Sequence, residues 1–548
     1  MKFLKEFLYS FTIILTVVYI VFRIAFTLPI NIGPVAIIFS IIVLLLEIWD
    51  AIDFTVYYMN ILGVERKNKA LPKVKDEDYP DVDVFVATIN ENEKVLTTTI
   101  EACKNMKYPD KKKVHIYICD DGNRKNVKEL ADKLEVNYIT RLSNKDAKAG
   151  NYNNALNKTK SPYIATFDAD MIPTEDFLMK TIPYFLGEDK KVGFVQLPQS
   201  FKNPDIFQLR FKLADKIPFE QDYFYRQIQL SKNDINTAIN CGTNLVLSRE
   251  ALKSIDGFAR KTITEDIATG MLMENAGYTG IAIDEIGAHG NNVNDVTSFI
   301  KQRSRWARGC IQVAKNYKIS KQKGLSFRQK LEYKSCISYW FYGIRRMLYM
   351  LAPLLFTVFG VIIIDCDLRI FLAVWLPAYL IKRFLIDITE GHHRSSTWNK
   401  IYETILTPVL CKEVLKELFG FGSTKFEVTP KYSVNKKMTR THKKLFLAHF
   451  ILLAISIAAL VYSIIRGQGA LYYDPYFNSM TFNLSLIWLA SNIFYLTCAV
   501  IFDLSNRTKI PEDFVPNKLE KYKRSSVPFI FINIFRRDKK EKVAKETK

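Results

Sequence analysis

Val114-His115-Ile116-Tyr117-Ile118-Cys119-Asp120-Asp121-Gly122 is a largely apolar, β-branched run that ends abruptly in two carboxylates and a glycine. The run Val114–Cys119 has the length and composition of a buried strand. Val82–Thr88, Val136–Thr140 and Tyr163–Phe167 read the same way, and the last leads directly into Asp168-Ala169-Asp170. Helical patterns lie between them, as in Glu93–Cys103 and Asn126–Leu134. Strands alternating with helices predict an α/β domain with a mostly parallel sheet. Such sheets bind ligands beyond the carboxyl ends of their strands, and both acidic motifs fall there.

Apolar runs lie on either side of this segment. Leu8–Leu28 and Gly33–Trp49 precede it; Met347–Ile364, Ile370–Ile381, Leu445–Ile465 and Ser479–Phe502 follow. Each approaches the ~20 residues needed to cross ~30 Å of hydrocarbon, and Ile370–Ile381, cut short by Lys382 and Arg383, fits least well. Arg23, near the end of the first run, is expected to snorkel towards the interface. The predicted division is two transmembrane helices in 1–62, a cytosolic domain in 63–325, interfacial helices with four further spans in 326–506, and a basic tail in 507–548.

The 548 residues carry a formal net charge of +21. On a soluble protein that would suggest nucleic acid, but here the charge lies beside apolar runs. No RNP or zinc-finger pattern accompanies it, so it is assigned to the lipid bilayer. Three short loops, Pro29–Asn31, Asp365–Arg369 and Arg466–Asn478, carry only Arg369 and Arg466, whereas 382–444 and 507–548 are rich in Lys and Arg. The basic side should face the cytosol, which puts the α/β domain and both termini there. The 8 cysteines form no CxxC pair, so no zinc site or disulfide framework is predicted, and a reducing compartment fits.

Five short motifs carry the expected chemistry. Asp168 and Asp170 can share a divalent cation with a diphosphate. Asp120 and Asp121 can accept hydrogen bonds from a base or ribose. Lys148-Ala149-Gly150-Asn151, before a helical run, suits a phosphate. Thr264-Glu265-Asp266 offers a carboxylate to deprotonate a hydroxyl, or simply a helix cap with first-turn acids. In Gln302-Arg303-Ser304-Arg305-Trp306, an arginine can stabilise departing diphosphate charge and a tryptophan can stack on a sugar; the plainer alternative is a basic amphipathic helix. Taken singly, each motif is also explained by an ordinary turn, cap or surface helix.

In this order, DDG, KAGN, DxD, TED and QxxRW resemble the processive family 2 glycosyltransferases, and most closely the bacterial cellulose synthase catalytic subunit. Val195–Gln199 (VQLPQ), Asn240–Asn244 (NCGTN) and Phe426–Lys431, which resembles the FxVTxK gating loop (about 422–436), extend the likeness over roughly residues 8–505. The resemblance implies a nucleotide-diphospho-sugar transferase fold inserted between transmembrane helices of the plasma membrane. It implies that Asp120 or Asp121 and Asp168 contact the uridine part of UDP-glucose, that Lys148 touches the diphosphate, and that Asp170 with Asp168 holds Mg2+ or Mn2+. Asp266, with Glu265 beside it, would act as base. Gln302, Arg305 and Trp306 would hold the diphosphate and the terminal acceptor sugar. Phe426, Val428, Thr429 and Lys431 would close over the donor. A growing polysaccharide would pass through the membrane helices past aromatics such as Trp340, Tyr342 and Trp375, with accessory secretion proteins as further partners.

The expected product is a cellulose-like β-glucan. Alternatives are another β-linked polymer (β-1,3 or mixed-linkage glucan, or an aminosugar polymer) or a glycolipid made non-processively. Cys241-Gly242 stands where aminosugar-polymer relatives usually have Ser-Gly, which favours glucose. The short segment after the last apolar run predicts no PilZ domain. Gly287-Ala288-His289-Gly290 departs from the family pattern, and Trp398–Phe421 is predicted to lie along the membrane surface.

Overall fold

The computed structural model describes residues 2–61, 69–187, 191–213, 217, 219–390, 395–422, 438–473 and 479–505. The strand-length runs fold as β1 (Val82–Thr88), β2 (Val114–Asp120), β3 (Asn137–Thr140) and β4 (Tyr163–Asp168). All are mutually parallel where they pair. β5 (Ile172–Pro173), β6 (Val192–Gln196), β7 (Ser200–Phe201), β8 (Leu245–Ser248), β9 (Thr279–Ala282) and β10 (Ala288–Gly290) follow. The main sheet has 7 strands in the order β3-β2-β1-β4-β8-β6-β9. β8 is antiparallel to both β4 and β6, so the sheet is mixed. A small sheet, β5-β10-β7, lies beside it and takes in His289, which pairs with Ser200 Oγ at 3.2 Å.

Alternation along each strand builds two cores. Val84, Val86, Ile118 and Phe167 pack with Leu96, Ile100 and Cys103 of the helix Glu93–Asn105. Phe85, Cys119 and Ile164 pack on the other face with Tyr152 and Ala155 of the helix Ala147–Lys158. The register sets Thr88 level with Asp120, Asp120 with Thr140, and Ala87 with Asp168. The acidic ends of β2 and β4 therefore share one edge.

The opposite edge holds the domain together. Asp83, buried at the start of β1, takes Arg249 Nη2 at 2.6 Å and Ser161 Oγ at 2.7 Å. The same guanidinium reaches the carbonyls of Ser161 at 2.5 Å and Leu156 at 2.7 Å. Arg249→Met leaves Asp83 a buried, unpaired charge and is expected to cost about 3–5 kcal/mol. The check is a clear fall in thermal unfolding midpoint of the detergent-solubilised chain.

Helices form at every anticipated apolar run: Lys2–Phe26, Pro34–Ile61, Tyr342–Phe359, Leu368–Glu390, Arg440–Tyr473 and Ser479–Leu504. Among the described residues, 4 of these helices are long and apolar enough to cross a membrane, with spans Glu6–Phe26, Pro34–Met59, Arg440–Ile465 and Phe482–Leu504. This is a membrane protein. The helix Leu368–Glu390 continues through Lys382 and Arg383, and Lys382 Nζ lies 4.2 Å from the Phe54 ring centroid. Arg23 does not snorkel: it is fully buried, with Nε 2.9 Å from Glu47.

The stretch Trp398–Phe421 forms the helix Ser396–Leu418, which is buried against neighbouring helices over most of its length and exposes Leu415, Leu418, Phe419 and Phe421 at its end. Ile401, Ile405 and Leu410 are buried, and so are Thr404 and Thr407, whose hydroxyls bond to carbonyls one turn back. It packs against the helices Val296–Tyr317, Tyr342–Phe359 and Ser479–Leu504. Phe207 stacks on Tyr402 at 4.0 Å, and Arg210 Nη1 donates to the Phe502 carbonyl at 2.6 Å. These contacts join the α/β domain to the membrane helices.

Candidate active site

At the end of β2, Asp120 is fully buried and its oxygens are spent on the turn. They accept from the backbone of Gly122 at 2.9 Å and Arg124 at 2.8 Å, from Arg124 Nη2 at 3.0 Å and from Tyr138 Oη at 3.0 Å. Asp121 forms a two-pronged ion pair with Arg141, at 2.6 and 2.8 Å. Arg141 directly follows β3, so a third strand end contributes to this edge. The motif is thus a folded Asp-Gly turn as well as an acidic edge, and both carboxylates are tied to the β3 side, Asp120 by Tyr138 and Asp121 by the Arg141 guanidinium.

Asp168 ends β4. Lys148, in the first turn of the helix Ala147–Lys158, donates to Asp168 Oδ1 at 2.5 Å and to the Gly242 carbonyl at 2.8 Å. Burial by itself would lower this ammonium; the charge of Asp168 outweighs it and holds Lys148 above the ordinary lysine range. Asp170 lies two residues on and is buried.

Lys148 also links this edge to the loop 240–244. There Asn240 Oδ1 accepts from Gly242 N at 2.8 Å. Gln196, at the end of β6, takes Cys241 N at 2.8 Å and donates to the Thr243 carbonyl at 2.9 Å. Gly242 has φ +75°, and a Cβ there would lie 3.2 Å from Asp266 Oδ2. The loop therefore presses its glycine against the carboxylate of the TED motif.

Thr264 occupies the N-cap position of the helix Glu265–Asn275, yet its side chain makes no capping bond. It faces Gly309 of the helix Val296–Tyr317, where any Cβ would collide with it. Thr262 Oγ1 donates to the Gly309 carbonyl at 3.0 Å, and Ile263 N donates to Gln312 at 3.2 Å. This close approach brings the helix bearing Gln302, Arg305 and Trp306 against the TED turn. Burial raises the carboxyls of Glu265 and Asp266, and Lys148 and Arg305 are near enough to counter part of that rise. Gln302 Oε1 is buried and accepts no hydrogen bond from the described residues.

Residues 83–256 match the description "Glycosyl transferase family 2". The chain is 32% identical over 454 residues to the cellulose synthase catalytic subunit [UDP-forming] of Pseudomonas fluorescens, a match covering 83% of this chain and 60% of that protein. The corresponding protein of Xanthomonas axonopodis is 30% identical over 446 residues, covering 81% of this chain and 60% of the relative. The family match falls on the stretch that carries β1 to β4, β6 and β8 of the main sheet. The chain spans about 60% of the length of these two relatives and 31% of cellulose synthase 2 from Novacetimonas hansenii. The domain's fold is shared with a mannosyltransferase from Pyrobaculum calidifontis, solved with GDP-Man and Mn2+, at a TM-score of 0.50 and 15% identity over 70% of this chain and 99% of that one.

At this edge of the sheet Asp168, Lys148, Gly242 and Asp266 form one connected cluster, and Arg305 of the neighbouring helix is close enough to act on Asp266. Thr429 and Lys431, with the rest of Phe426–Lys431, lie outside the described residues. Trp306 is half-buried, with the Arg303 guanidinium 4.4 Å above its ring and the Trp340 ring 6.5 Å away, edge-on. Arg303 itself is ion-paired with Glu220. Tyr342 is buried, and Trp375 stacks between Phe371 and Tyr379 of its own helix.

Arg124, Arg141, Gln196 and Arg303 position the site, and none was singled out from the sequence. Arg141 carried a signal, since it directly follows a strand. Gln196 lay inside the VQLPQ motif but had no role attached to it. Among the described residues, no three His, Cys, Asp or Glu side chains are grouped to hold a metal. Asp168 and Asp170 supply hard oxygen donors only, which fits Mg2+ or Mn2+ completing its shell with water and phosphate oxygens.

Proposed function

We propose that this protein is a processive, inverting glycosyltransferase. It polymerises glucose from UDP-glucose into a cellulose-like β-glucan and passes the chain across the plasma membrane, with the glycosyltransferase domain and both termini in the cytosol. The observation that carries the reading is the contact between two motifs at Gly309. It sets Asp266 against the helix of Gln302, Arg305 and Trp306, beside the strand end holding Asp168 and Lys148.

In this reading Asp266 takes the proton of the acceptor hydroxyl. The oxygen attacks the anomeric carbon as the bond to UDP breaks, so an α-linked donor gives a β-linkage. Arg305 stabilises the charge on the departing diphosphate, and Lys148 binds that diphosphate. Asp121 and Asp168 face the uridine part. Gln302 offers its buried carbonyl to the acceptor sugar, and Trp306 offers a ring face for stacking. A divalent ion held by Asp168 and Asp170 would neutralise the leaving diphosphate.

The test is transfer of radiolabel from UDP-glucose by the purified full chain. A long β-linked polymer is expected, with EDTA abolishing incorporation and Mg2+ or Mn2+ restoring it. A short lipid-linked product would replace processive synthesis by glycolipid formation. Metal-dependent transfer from no UDP-hexose at all would overturn the reading. Methylation analysis of the polymer assigns the linkage.

A further inference from the structure

A cavity of about 390 Å³ lies away from the strand ends, between the membrane helix Pro34–Ile61 and the helices Val296–Tyr317 and Phe327–Ser338. Trp49, Ile337 and Phe341 form its apolar wall, and Lys318, Lys321 and Lys334 stand at its rim. All three lysines are exposed, and none forms an ion pair with a described residue. The wall is built rather than incidental. The Trp49 indole N–H donates to Ser338 Oγ at 2.6 Å, and that hydroxyl donates to Asp53 at 2.9 Å. Arg345 lies 5.2 Å from the Trp49 ring centroid, and the Phe341 ring 5.6 Å away.

We propose that this slot binds an anionic phospholipid of the surrounding bilayer, with its phosphate at the three lysines and an acyl segment along Trp49, Ile337 and Phe341. Three arguments select that occupant. Trp49 belongs to the candidate membrane span Pro34–Met59, so the apolar wall is continuous with a lipid-facing helix. The volume is of the size that takes an amphiphile's headgroup and first methylenes. A soluble anion would use the lysines and leave the apolar wall wet. The slot sits at the carboxyl end of the helix Val296–Tyr317, whose dipole opposes an anion, so the clustered cations must supply the attraction. That helix carries Gln302, Arg305 and Trp306 nearer its start, so a bound lipid would brace the far end of the element presenting them. The inference rests on the membrane placement of Pro34–Met59 and not on the proposed reaction.

The experiment is native mass spectrometry of the full chain released from nanodiscs of phosphatidylcholine and phosphatidylglycerol in equal amounts. Wild type is expected to retain phosphatidylglycerol over phosphatidylcholine by about tenfold. The triple variant Lys318→Gln, Lys321→Gln, Lys334→Gln is expected to lose that preference. Ser320→Phe and Ala314→Leu, which fill the slot without changing its charge, are expected to reduce the retained lipid; two fillers guard against one misfolding. Equal retention of both lipids by wild type would overturn the proposal, as would a preference that survives the triple variant. So would fillers without effect, since the lysines would then act only as a diffuse surface charge. Displacement of the lipid by inorganic phosphate at matched concentration would also overturn it, because a bare phosphate site would explain the result.

Discussion

Asp266→Asn is expected to lower kcat for sugar transfer by about 10²–10⁴-fold while leaving UDP binding within a few fold. Asp266 Oδ1 accepts from the backbone of Ile267 at 2.9 Å, which holds the side chain at the first turn of its helix. Its other oxygen faces Gly242. Asparagine keeps the shape and the Oδ1 acceptor but cannot take a proton. Burial raises the wild-type carboxyl, offset in part by Lys148 and Arg305. A base must be ionised to act, so wild-type activity is expected to fall with decreasing pH in a range above that of an ordinary aspartate. Initial rates across pH and calorimetric UDP titration of both proteins decide the matter. An asparagine variant retaining more than roughly a tenth of the wild-type rate would remove Asp266 from the base role.

Gly242→Ala is expected to cost about 10²-fold in kcat, an effect of placement. Gly242 is in the left-handed region at φ +75°, which a side chain enters at a cost of roughly 1–2 kcal/mol. The new Cβ would sit 3.2 Å from Asp266 Oδ2 and 3.3 Å from Asp266 Cβ, so the carboxylate or the loop must give way. The loop is not free to move, because Gln196 and Asn240 fasten it and Lys148 donates to the Gly242 carbonyl. The base is thus the part that shifts. A loss of kcat much larger than the small fall in unfolding midpoint that a backbone cost of roughly 1–2 kcal/mol brings is the expected pattern. Equal loss of stability and activity would mean that the glycine serves folding alone.

Much of this site was readable in linear form. Asp120, Asp121 and Asp168 end or follow strands whose apolar, β-branched runs announce them. Glu265 and Asp266 open a helix, and Gln302, Arg305 and Trp306 recur at helical spacing on one helix. Their roles in transfer remain those proposed above. The partners were not readable. Arg141 is an unremarkable residue after a short strand until the parallel pairing of β2 and β3 brings it to Asp121. Gly309 looks like a weak point in a helix, and only the crossing with Thr264 explains it. The burial of the middle of the helix Ser396–Leu418 was not readable either, because Thr404 and Thr407 satisfy their hydroxyls against their own backbone and can therefore be buried.

Strand and helix periods are local properties, and so are the apolar runs and the places where acids interrupt them. Composition along the chain was therefore enough for an α/β domain set between membrane helices, with carboxylates at its strand ends. Which residues meet across that frame depends on packing between segments far apart in sequence. Lys148 with Asp168 and Gly242, Gly242 with Asp266, Arg23 with Glu47, and Trp49 with Ser338 were decided by tertiary structure alone. A side chain's partner follows from the sum of many distant contacts, which no local pattern encodes.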